Sequence, residues 1–95
     1  MIYIVGLCTS IDVENISEVE GVGWYSTLEK AKKCVEENKY NLSDDGFYKY
    51  AVIEGYAEGL YPLSVNPLWY RWNKDHFEPM DYPDNLSHIS NFILG

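Results

Sequence analysis

The sequence predicts an α+β fold: a mostly antiparallel sheet of about four to five strands with one principal helix, at about 26–39, packed on one face. Three observations carry this expectation. A capped amphipathic stretch begins at Ser26, β-branched and aromatic runs stand on both sides of it, and clusters of Asp, Asn, Gly and Pro separate those runs. The 95 residues suit one domain spanning 1–95. A chain of that size buries roughly 60–65% of its unfolded surface without metal or disulfide support.

Ile2 to Thr9 is apolar and short, which predicts a strand at the centre of the sheet or one buried on both faces. Ser10 to Gly21 mixes four acids with Ile11, Val13, Ile16 and Val19, so it reads as a loop with anchors or a ragged strand. Gly21 to Tyr25 is a short strand that delivers the chain to the helix. There Ser26-Thr27-Leu28-Glu29 fits a capping box, in which the Ser26 hydroxyl accepts from the Glu29 amide and the Glu29 carboxylate reaches back. Loss of such a cap typically costs about 1 kcal/mol. Leu28, Ala31, Val35 and Asn38, with Cys34 beside them, form a narrow stripe that covers one sheet face, while Lys30, Lys33 and Glu37 face water.

Asn41 to Gly46 is a turn cluster. Phe47 to Glu58 then alternates imperfectly and predicts a long central strand covered on both faces. The two prolines of Gly59 to Pro67 argue for a crossing loop. Leu68 to Trp72, the four polar residues Asn73 to His76, and Phe77 to Met80 make a hairpin, with Pro79 placing its second strand at an edge. The tail from Asp81 to Gly95 starts as a loop and ends in Ile89, Phe92, Ile93 and Leu94, which pack back on the body.

Composition narrows the function. Fifteen acids against seven bases give a net charge of −8, which repels phosphate backbones and anionic membranes, so direct nucleic-acid binding is disfavoured. Four lysines and three glutamates leave 26–39 at +1 and the remainder at −9. Acidic spots gather at Asp12, Glu14, Glu18 and Glu20 and again at Asp75, Glu78, Asp81 and Asp84. MIYIVGLC is too short for a membrane span and lacks the basic flank of a signal peptide, which points to a cytoplasmic protein. Cys8 and Cys34 lack C-x-x-C spacing and read as reduced thiols packed as small apolar groups.

The motifs of nucleotide-binding loops, zinc proteases and serine hydrolases are absent from the sequence, so no residue is expected to be catalytic, to bind a cofactor or to ligate a metal. Gly21-Val22-Gly23 resembles a phosphate-binding turn only on the surface, because Trp24 and Tyr25 intervene before the helix cap. His76 and His88 read as exposed loop residues rather than ligands. The aromatic hairpin is the remaining candidate. On a strand Trp69 and Trp72 point to opposite faces, Tyr70 shares the face of Trp72, and Arg71 lies among them. Core packing explains such residues by default. The functional alternative is a protein-binding surface made of Trp69, Tyr70, Arg71, Trp72, Asp75, Glu78, Asp81 and Asp84, since Trp, Tyr and Arg dominate interface energetics.

The run GWYSTLEKAKKCVEEN, and WYRW followed by a charged turn and FEP, resemble elements recurrent in small proteins of bacteriophages and prophages. The resemblance covers about 23–39 and 68–80 and carries no catalytic residue over. It implies an accessory factor that binds and inhibits a host protein, host defence systems included. Two alternatives stand beside that expectation. One is a small-ligand binder, for a nucleotide signal, with Lys30, Lys33 or Arg71 meeting phosphate in the cleft of a homo-oligomer. The other is a small enzyme, which requires Cys8, Cys34, His76 or His88 to converge.

Overall fold

A computed structural model of the chain describes residues 1–11, 19–59, 64–81 and 93, with 64–66 described in backbone only. Five strands form one antiparallel sheet: β1 (Ile2–Cys8), β2 (Glu20–Tyr25), β3 (Tyr50–Tyr56), β4 (Ser64–Asn73) and β5 (His76–Met80). Their order is β2-β1-β3-β4-β5, with α1 (Leu28–Glu36) packed on one face. This is the α+β architecture the sequence predicts. β3 is central, and every residue from Ala51 to Tyr56 is buried.

Strand alternation divides the core into two layers. On the helix side Val5, Leu7, Ala51, Ile53, Tyr70 and Phe77 meet Ala31 and Val35 of α1. On the opposite side Cys8, Val52 and Trp69 form a smaller cluster, with Ile11, Val19, Tyr50, Met80 and Ile93 packed against it. Cys8 and Cys34 are both buried and form no disulfide.

Five local expectations are corrected. The helix cap is Thr27, whose Oγ1 accepts from the Lys30 amide at 3.3 Å, and not Ser26. Tyr25 still pairs with Tyr3, so the chain uses both Ser26 and Thr27 to climb from sheet to helix. The α-helix also stops at Glu36, short of Lys39, because Asn38 adopts a left-handed conformation (φ 46°) and a 3₁₀ turn follows at Lys39–Asn41.

The central strand starts at Tyr50 and not at Phe47. The preceding reversal runs on through left-handed Asp44, Asp45 and Gly46, and Phe47 stays 60% exposed. Gly46 is required twice over: its φ is 85°, and a Cβ there would fall 2.8 Å from Trp72 Nε1. Asn38 Oδ1 accepts from the Ser43 amide (2.8 Å) and Ser43 Oγ from the Gly46 amide (3.2 Å), which satisfies this backbone locally.

Pro67 does not exclude a strand. β4 runs through it, because the register slips where Ile53 faces Leu68 and Gly55 faces Val65. Asn66 and Pro67 there oppose the single residue Glu54, and a bulge tolerates the missing proline N–H. The hairpin turn is two residues and not four: Asn73 pairs with His76, and Lys74 takes a φ of 62°. Trp72 and Phe77, edge to face at 5.1 Å, pin the ladder beside it.

β5 is an edge strand, as Pro79 predicts. The predicted packing of Ile89, Phe92 and Leu94, and most of the ragged segment after Ser10, lie outside the described residues.

Candidate interaction surface

The hairpin does not present its aromatic residues as a surface. Trp69 is 3% exposed in the smaller cluster and Tyr70 is 2% exposed beneath α1. The Tyr70 hydroxyl donates to Glu36 Oε2 at 3.2 Å. Burial first, and then the neighbouring Glu36 charge, push this phenol well above its ordinary pKa. Trp72 is half-buried against Phe77. The outer face of the hairpin carries Arg71, whose Nη2 donates to Glu78 Oε1 at 2.8 Å, while Asn73 Nδ2 donates to Glu78 Oε2 at 3.1 Å. Those two hydrogen bonds hold the Glu78 carboxyl below its ordinary range. Asp75 sits beside His76, 2.7 Å from Oδ1 to Nδ1, in the exposed turn. Asp81 is exposed at the end of β5, and Asp84, like Asp12, Glu14, Glu18 and His88, lies outside the described residues. The hairpin face is thus a set of charges that satisfy one another.

The cations named for a phosphate site do not converge within one chain. Lys30 and Lys33 stand on α1, Lys33 within 4.0 Å of Glu37, whereas Arg71 points from the sheet face opposite the helix. An open groove of about 350 Å³ lies between α1 and the ends of β4 and β5, with Lys32, Glu36, Tyr70 and Asp81 among its lining. Two carboxylates against one ammonium make it a poor receptor for phosphate. The two cysteines are separated by the sheet, Cys8 on one face and Cys34 beneath the helix on the other. No group of three His, Cys, Asp or Glu able to hold a metal ion occurs among the described residues. No helix among them is long and apolar enough to cross a membrane.

The exposed apolar surface is elsewhere, at the β2 edge. Val22 (48%) and Trp24 (63%) on β2 and Ile2 (38%) beside them on β1 are the large apolar side chains left open there, whereas Met1 (57%) reaches over Gly55 on the helix side of the sheet. Trp24 pairs with Ile4 across β1–β2, so the two project together on the face away from α1. Val5 pairs with Gly23 and Gly6 with Gly21, which leaves Val22 as a bulged residue opposite no partner on β1. Among the described residues no strand pairs with the outer side of β2. Its sole charged residue, Glu20, accepts from the Tyr48 hydroxyl at 2.8 Å.

This surface was not among the residues the sequence pointed to. Trp24 reads as a strand residue like any other, and its exposure follows from the position of β2 at the sheet edge, a tertiary fact. One local signal existed: EGVGWY carries a single charge and two glycines, an unusual makeup for an edge, where charge or proline is the common protection. Tyr40, 97% exposed in the reversal after α1, stands apart from this cluster in sequence.

Comparison with protein-family models, with curated proteins and with solved structures finds no match for the chain.

Proposed function

We propose that this chain is a non-enzymatic binding protein that seats a partner protein on the apolar β2 edge, with Trp24 as the anchor. The observation that carries the reading is the grouping of Ile2, Val22 and Trp24, all more than a third exposed, on neighbouring strands, while the other strongly exposed aromatics among the described residues, Tyr40 and Phe47, stand in the reversal after α1. Contiguous exposed apolar residues mark interaction sites, and a central Trp is the commonest hot spot. The Val22 bulge breaks the regular strand spacing of β2, so the partner docks against side chains rather than adding a strand. The resemblance to small phage proteins supports a host protein as the partner class, with inhibition by occlusion as the mode of action.

The test is affinity capture from bacterial lysate with quantitative mass spectrometry, comparing the wild type with Trp24→Ser and with Arg71→Ala. Capture of one specific protein should fall about thirtyfold for Trp24→Ser, the scale of a hot spot, and stay within about twofold for Arg71→Ala. The reverse pattern would return the working surface to the hairpin.

A further inference from the structure

At the end of the sheet opposite β2, the groove of about 350 Å³ between α1 and the ends of β4 and β5 has a lining that no part of the fold requires. Its size lies within the roughly 300–1,000 Å³ of small-molecule sites. Leu68, Tyr70, Pro79 and Met80 supply apolar surface, and three charged groups stand around it: Lys32 and Glu36 on α1, and Asp81 just past β5.

These charges do not neutralise one another. Lys32 and Glu36 have the i, i+4 spacing of helical ion pairs, yet no ion pair joins Lys32, Glu36 or Asp81 to another charge among the described residues. Glu36 is the fixed member. The Tyr70 hydroxyl, on a side chain 2% exposed, donates to its Oε2 at 3.2 Å, while its Oε1 has no hydrogen-bond donor among the described residues. On the outer face of the same hairpin, Glu78 is satisfied by Arg71 and Asn73. The hairpin thus pairs its charges on one face and leaves them unpaired at the groove.

The complement of two carboxylates and one ammonium is two cations and one carboxylate on a short apolar stem. A basic α-amino acid has that make-up. Side chains one helical turn apart, with about 5–6 Å between Cβ atoms, suit the adjacent α-carboxylate and α-ammonium of such a ligand. Its methylenes then cross the apolar lining toward Asp81. A guanidinium fits that end better than an ammonium, because its planar fork donates two hydrogen bonds to one carboxylate.

We propose that the groove between α1 and β5 binds a free basic α-amino acid of the arginine type, with Lys32 on its α-carboxylate, Glu36 on its α-ammonium and Asp81 on its guanidinium. The site is remote from Trp24 in strand order and does not rest on the function proposed above.

The test is titration of L-arginine into the isotope-labelled full chain at low ionic strength, read as amide chemical shifts. Saturable shifts should centre on Lys32, Glu36, Leu68, Tyr70 and Asp81 at millimolar ligand. Citrulline, which keeps the shape without the guanidinium charge, should bind about tenfold more weakly. Agmatine, which lacks the α-carboxylate, should bind severalfold more weakly. Two variants cross with these ligands. Lys32→Gln should weaken L-arginine severalfold and leave agmatine unchanged, whereas Asp81→Asn should weaken both about tenfold and change citrulline far less. Absence of saturable shifts with the wild type would overturn the site. Equal loss of L-arginine and agmatine in Lys32→Gln would overturn the assignment of Lys32 to the α-carboxylate, and with it the amino-acid ligand. N-acetyl-L-arginine amide binding as tightly as L-arginine would also overturn it, since the occupant would then be an arginine side chain within a peptide.

Discussion

The two edges of the sheet meet the same hazard by different means. β5 carries Pro79, and beside it the Arg71–Glu78–Asn73 network and the charged turn of Asp75 and His76 keep the surface polar. Both its ladder and its side chains discourage contact. β2 has neither proline nor a run of charge, and its ladder is broken instead by the extra residue Val22. A bulge defeats strand addition through backbone geometry alone and leaves the side chains free to be apolar. The contrast separates two things usually lost together, resistance to edge pairing and the capacity to bind. In the reading proposed above, only β2 retains the second.

The largest effect that tests this contrast is on stability. Trp69→Ala, in the buried layer of the hairpin, should destabilise the domain by roughly 3–5 kcal/mol in urea unfolding. Trp24→Ala on the open edge should change it by less than about 0.5 kcal/mol. Equal costs would mean that Trp24 is a core residue and the edge is not a surface. Next comes the thirtyfold loss of capture in Trp24→Ser, which should appear without a shift in the unfolding midpoint.

A smaller effect concerns the end of β2. The Cys34 thiol beside the Tyr25 hydroxyl, with some burial, pushes the phenol's pKa up to about 12. Cys34→Ala should move the phenolate absorbance transition back toward the ordinary 10.0. Because the folded value is the raised one, the contribution to stability is complete below pH 10.0 and is lost as pH rises toward 12.

The smallest effect belongs to β5. The carboxyl of Glu78 is held below its ordinary 4.5, first by Arg71 and then by Asn73. Its contribution is therefore present above about pH 4.5 and lost as pH falls through the lowered folded value. Arg71→Ala should flatten that part of the stability profile. Added salt should weaken it in the wild type, since the pair is exposed.

Much of the architecture was legible because it is written in local patterns. The stripe Leu28, Ala31, Val35 and the alternation that sends Trp69 and Tyr70 to opposite faces both held. The sequence could not show which of two adjacent hydroxyls would cap the helix, because Ser26 and Thr27 are equivalent until the Tyr3–Tyr25 pair fixes where the strand ends. Nor does Pro67 look like a strand residue until Glu54 is seen opposite a bulge. The surface was harder still. Trp69 and Trp24 are alike as letters, and only strand order decides that the first is enclosed and the second is not.

The Val22 bulge has a consequence for the kinds of mutation this chain can absorb. Because Gly21 and Gly23 already face consecutive residues of β1, removal of the single codon for Val22 would leave every other pairing in place. The encoded protein would fold with its contacts to β1 intact and a straight outer rim. Such a rim, uninterrupted and with Glu20 as its one charge, is a template for open-ended stacking of copies. For this gene the hazardous lesion at the edge is an in-frame loss of one triplet, a change that most substitution scans never sample.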